Sequence, residues 1–149
     1  MPTFINVTNH ELTAEQINDA PNTFPDFDSP EVEYINFVEL PKDLKKTWSC
    51  VPTQNQDSNR TIFNDIAKKI TDFIIDKASK DESYTTVLIQ GDLGMVLECL
   101  KLIKEWDVDY KIACYYATTE RQSVEQINEN GEIIKTSVFK HAGYRLLCI

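Results

Sequence analysis

Three short polar clusters carry the side chains of this chain best suited to chemistry. They are Thr8-Asn9-His10, Gln90-Gly91-Asp92 and Thr118-Thr119-Glu120-Arg121, with His141 and Arg145 further on. A histidine gains or loses a proton near neutral pH, so His10 could serve as general acid or base or bind phosphate; otherwise it is a loop residue ahead of the first helix. The planar fork of Arg121 matches phosphate oxygens, the alternative being a solvated hairpin arginine. Asn9 could contact a ligand or close an Asx-type turn beside Thr8. Gln90 and Asp92 could also bind a ligand, but a carboxylate repels phosphate, and Asp92 is equally suited to cap the helix after it. Gly91 lies in a strand-to-helix turn, where backbone N–H groups can face an anion. Thr118 and Thr119 could donate to phosphate or simply pack. His141 and Arg145 could complete a basic surface or pair across strands.

Several standard chemistries have no signature here. Gly91-Asp92-Leu93-Gly94 is not a Gly-x-Gly-x-x-Gly turn, and there is no Gly-Lys-Ser/Thr and no Gly-x-Ser-x-Gly elbow. Cys50, Cys99, Cys114 and Cys148 are widely spaced without a Cys-x-x-Cys pair, and His10 and His141 are the only histidines. Neither a metal site nor a cofactor is therefore expected. With no leader-like N-terminus, the thiols read as reduced and cytoplasmic, with Cys99 and Cys114 packing as small hydrophobes.

The elements that must position these clusters alternate between strand and helix. Thr3–Val7 reads as a strand, followed by a helix to about Ala20 with Thr13 and Gln16 as a capping box. Val32–Val38 reads as a second strand and 41–48 as a helical turn starting at Pro41. A long helix from Arg60 to about Lys77, capped by Ser58 or Asn59, carries an apolar stripe of Ile62, Phe63, Ile66, Ile70, Phe73 and Ile74. Thr85–Ile89 has the continuous apolar character of a central parallel strand. A helix over 93–106 puts Val96, Leu97, Leu100 and Ile103 on one face, and Tyr110–Tyr116 is the next strand. Val124–Ile127 and Ile133–Val138 flank Asn130-Gly131, two residues that accept positive φ and signal a hairpin. Arg145–Ile149 adds a last short strand. Trp48 reads as a packing residue.

This order predicts an α/β fold: a Rossmann-like open, mainly parallel sheet with flanking helices and a C-terminal β-hairpin. In such sheets ligands bind beyond the carboxyl ends of the strands, where the three clusters are expected to meet.

The chain has 149 residues, 42% of them hydrophobic, which fits one domain with a real core. No apolar run approaches the length needed to span a bilayer, so no membrane partner is expected. The net charge is −9. Residues 1–109 hold 10 basic and 20 acidic side chains, whereas 110–149 hold 5 and 4. That balance argues against duplex DNA and leaves room for a small anionic ligand near the C-terminal part.

Five segments together resemble the small stand-alone type III CRISPR-associated proteins related to the CRISPR-associated Rossmann-fold ring nucleases. They are Asn9-His10-Glu11-Leu12-Thr13-Ala14-Glu15-Gln16; Leu40-Pro41 with Leu44, Trp48-Ser49 and Val51-Pro52; Val87 through Gly94; Tyr116 through Arg121; and Lys135 through His141. They run in the family's order and cover most of the chain. Ala142 and Gly143 depart from it, standing where the family tends to carry bulkier or basic residues. The resemblance implies a homodimer that binds a cyclic oligoadenylate, above all cyclic tetra-adenylate, at its interface. It further implies metal-independent ring opening that ends an antiviral signal. The alternative is a sensor or sponge that binds the ring without turnover.

Overall fold

The computed structural model describes residues 1–52 and 57–147, and the side chains of 57–59 fall outside that description. Strands β1 (Thr3–Val7) and β3 (Thr85–Ile89) are buried at every position, as two-sided coverage requires. They lie beside β2 (Asn36–Glu39), β4 (Ile112–Ile127) and β5 (Ile133–Leu146) in one sheet of order β2-β1-β3-β4-β5. The first four strands are parallel, and β5 returns antiparallel along β4. The helices are α1 (Ala14–Asp19), α2 (Lys42–Ser49), α3 (Asp57–Ser79) and α4 (Leu93–Trp106). This is the expected α/β sheet with a C-terminal hairpin. None of the described helices is long and apolar enough to cross a membrane.

Alternation along the strands divides the core in two. Ile5, Val7, Val87 and Ile89 face α2, α3 and α4, meeting Trp48, Ile70, Ile74, Leu100 and Ile103. Phe4 and Leu88 face the other way, toward Ala20, Phe24, Ile35 and Tyr144. Cys99 and Cys114 are buried, and desolvation pushes both thiols up to about 12, so they pack as the small hydrophobes expected. Cys50 is exposed.

Several boundaries differ from the sequence reading. Leu97 is 55% exposed, and Met95 and Cys99 take the core face of α4 with Val96, Leu100 and Ile103. Ile62 is likewise exposed at the edge of the α3 stripe. Val32–Tyr34 is a 3-10 turn, and β2 starts only at Asn36, whose N–H donates to the Pro2 carbonyl at 2.8 Å. The capping role assigned to Ser58 or Asn59 lies outside the described residues. Arg145 begins no separate strand but sits inside β5; Cys148 and Ile149 lie outside the described residues.

The hairpin connection also differs. Only Gly131 has positive φ, at 78°, and Asn130 does not. A two-residue turn would need both residues there. The loop instead spans 128–132, with the Asn128 N–H donating to the Glu132 carbonyl and the Asn128 side-chain oxygen accepting from the Asn130 and Glu132 N–H groups.

The largest correction concerns β4. Tyr110–Tyr116 was the expected strand, with Thr118–Arg121 following its end. In fact β4 runs on to Ile127, so these four residues lie within it. β3 pairs with β4 only as far as Tyr115. Beyond that point β4 and β5 project past the sheet as a two-stranded arm.

Candidate functional site at the strand tips

The carboxyl tips of β1 and β3 are fastened by side chains to each other and to the middle of β4 at Ala117. Beyond β1, the single Thr8 hydroxyl proton is shared between Asn6 Oδ1 at 2.8 Å and the His10 carbonyl at 2.9 Å, and Thr8 Oγ1 accepts from the His10 N–H at 3.2 Å, which fixes a tight exit. Asn6 adds a bond to the same carbonyl and two to the Glu39 carboxylate on β2. Thr8 is therefore buried and structural. Asn9 is exposed, and its side-chain oxygen accepts from Ser49 Oγ at the end of α2 at 2.9 Å. The His10 ring is exposed and makes no hydrogen bond among the described residues.

The tip of β3 is built around Trp48. Its indole, 2% exposed, donates from Nε1 to the Gln90 carbonyl at 2.9 Å. Gly91 passes directly over that ring: a Cβ there would lie 2.8 Å from Nε1. Trp48 packs, as expected, and it sets the requirement for glycine at 91. Gln90 reaches sideways to β4, accepting from the Ala117 N–H at 3.3 Å and donating to the Ala117 carbonyl at 3.5 Å. Its amide thus carries the β3–β4 ladder one step further instead of facing a ligand.

Asp92 Oδ1 accepts from the Met95 N–H at 2.9 Å and caps α4. Asp92→Ala should therefore cost about 1 kcal/mol of stability with little effect on ligand affinity. Chemical denaturation beside a titration calorimetry run would separate the two effects.

A bulge decides where the arm's side chains point. Thr118 pairs with Gly143 but Thr119 pairs with His141, leaving Ala142 as the extra residue. Without it, positions 141 and 144 would face opposite sides; with it both face α1. His141 Nε2 lies 2.8 Å from Asp19 Oδ2, and Tyr144 donates to the Gln16 carbonyl at 2.8 Å. The two rings are 4.9 Å apart. Burial, then the nearby Asp19 carboxylate, push the Tyr144 phenol up, so it stays a neutral donor. His141 thus ties the arm to α1, with its side chain only 8% exposed. Gly143 meets only Thr118 Oγ1, at 3.9 Å, so nothing there demands glycine.

Thr118 Oγ1 donates to the Gly143 carbonyl. Arg145 donates to the Tyr116 hydroxyl at 2.8 Å, across the strands. Arg121 is exposed on the arm, its guanidinium 6.0 Å from the Phe139 ring centroid. It stands four residues beyond Ala117, about 13 Å along an extended strand. Asn9, Gly91 and Asp92 thus share one surface with the His10 loop, whereas Arg121 lies out on the arm and His141 and Arg145 are engaged elsewhere. An open groove of about 560 Å3 runs between the first turn of α1 and the arm, bordered by Thr13, Gln16, Thr119, Gln122, Phe139 and Lys140. Lys140, read from the sequence as solvated, borders this groove; Gln122 was not singled out by sequence, and only knowledge that β4 continues would have placed it here. Among the described residues no group of three His, Cys, Asp or Glu is arranged to hold a metal.

Residues 2–145 match the family model described as Uncharacterized protein MJ1673 family. A relative described as Uncharacterized protein MJ1673, from Methanocaldococcus jannaschii, is 31% identical over 145 residues, covering 97% of this chain and 96% of its own. No solved structure matches the chain.

Proposed function

We propose that this chain, which belongs to the Uncharacterized protein MJ1673 family, is a metal-independent ring nuclease acting on a cyclic oligoadenylate, with cyclic tetra-adenylate as the favoured ring. On this reading it works in the cytoplasm as a homodimer that switches off type III CRISPR antiviral signalling. The observation that supports it is the fastening of the β1 and β3 tips beside the middle of β4, through Asn9–Ser49, Trp48–Gln90 and Gln90–Ala117, with the His10 ring exposed beside them. The resemblance of the strand-tip segments to CRISPR-associated Rossmann-fold ring nucleases supplies the ligand class.

The chemistry needs little beyond positioning. A ribose 2′-hydroxyl attacks the adjacent phosphorus and the bond to the 5′-oxygen breaks, giving a 2′,3′-cyclic phosphate and a free 5′-hydroxyl. Holding the ribose so that attack and departure are in line supplies much of the acceleration. Arg121, out on the arm, would hold another phosphate of the same ring. His10, with an unengaged ring, would take the 2′-hydroxyl proton or return one to the 5′-oxygen. Four equivalent phosphates suit a twofold axis, each subunit presenting the same groups to opposite phosphates.

His10→Ala should slow single-turnover cleavage by about 10²- to 10⁴-fold with ligand affinity little changed. Quenched-flow assays and calorimetry on the same preparation test this. An unchanged rate removes His10 from proton transfer. Tight binding by the unmodified protein with the ring left intact would identify a sponge instead.

A further inference from the structure

The arm exposes more apolar surface than a lone subunit has use for. Ile127, Ile133, Ile134, Val138 and Phe139 are between 44% and 77% exposed. Among the described residues the inner edge of β4 has no partner strand past Tyr115, and the outer edge of β5 has none along its length. A two-stranded ribbon by itself is marginal in water. The subunit's accessible area is 9731 Å2. A compact monomer of 17.1 kDa is expected to expose about 7,700 Å2, so the excess is roughly 2,000 Å2. A specific interface takes about 800 Å2 from each partner, which this excess readily supplies.

Charge selects the occupant. Residues 119–141 carry Arg121, Lys135 and Lys140 against Glu120, Glu125, Glu129 and Glu132, a net of −1 within a chain of −9. Two arms can therefore meet with little repulsion, whereas two bodies, holding the remaining charge, repel. A nucleic acid strand finds no basic stripe on the arm.

We propose that the projecting β4–β5 arm is the surface through which two copies of this chain associate, burying Ile134 and Val138, which share one face of the arm, at the seam. This deepens the functional reading by naming its dimer surface.

Light scattering on the full chain at tens of micromolar tests the assignment. The unmodified protein should show twice the 17.1 kDa chain mass. Ile134→Lys combined with Val138→Asp should halve it while circular dichroism and thermal unfolding show the body still folded. Leu97→Asp, an equivalent change on exposed α4, should leave the doubled mass unchanged. A single-chain mass for the unmodified protein, or a doubled mass retained by the arm variant, overturns the proposal. So does dissociation caused by Leu97→Asp alone. Cleavage is not read in this experiment, so loss of the ring-nuclease reading and loss of the arm interface are separate results.

Discussion

Arg121→Ala is expected to weaken binding of cyclic tetra-adenylate by about 10- to 100-fold while changing folding stability by no more than about 1 kcal/mol. The affinity loss follows from the geometry of the fork. A guanidinium makes two parallel charge-assisted bonds to a phosphate, and each of two subunits would contribute one such fork. The small stability change follows from its place on the exposed arm, where its one ring contact is Phe139 at 6.0 Å. Arg121→Lys should fall between, since it keeps the charge and loses the paired geometry. Calorimetric titration of the three proteins measures this, and equal affinities would leave Arg121 as a solvated arm residue.

Gly91→Ala should destabilise the fold by about 1–3 kcal/mol, because a new methyl group enters a site already filled by the Trp48 indole. Its Cβ would sit 2.9 Å from both Cε2 and Cζ2 as well as against Nε1. The indole cannot retreat, being buried and bonded to the Gln90 carbonyl. Trp48→Phe removes the Nε1 atom that crowds position 91 and also deletes the bond. Combining the two changes should therefore cost less than the sum of the singles, by about 0.5 kcal/mol or more. Denaturant melts of the four proteins give the coupling directly. Strict additivity would mean that the strand exit relaxes without involving Trp48.

Burial decided which features were legible in the sequence. β1 and β3 are covered on both faces, so their apolar runs name them. The capping box of α1 is visible because Thr13 and Gln16 satisfy each other locally. The far half of β4 is covered on neither side, so no period of two is imposed on Thr118 through Gln126, and a strand there looks like a polar loop. That single omission moved Arg121 from a strand tip to the arm. The inward turn of His141 toward Asp19 was illegible for a related reason: it depends on the bulge at Ala142, and no local residue pattern announces a bulge. Gln90 and Asp92 spend their polar atoms on Ala117 and α4, leaving Asn9, His10 and the Gly91 backbone to face outward.

The most direct test of the central claim is incubation of the purified protein with cyclic tetra-adenylate in excess EDTA, with products resolved by chromatography and mass spectrometry. The account predicts linear oligoadenylates ending in 2′,3′-cyclic phosphate and free 5′-hydroxyl, formed without divalent metal. Rings recovered intact after prolonged incubation with stoichiometric protein would contradict it.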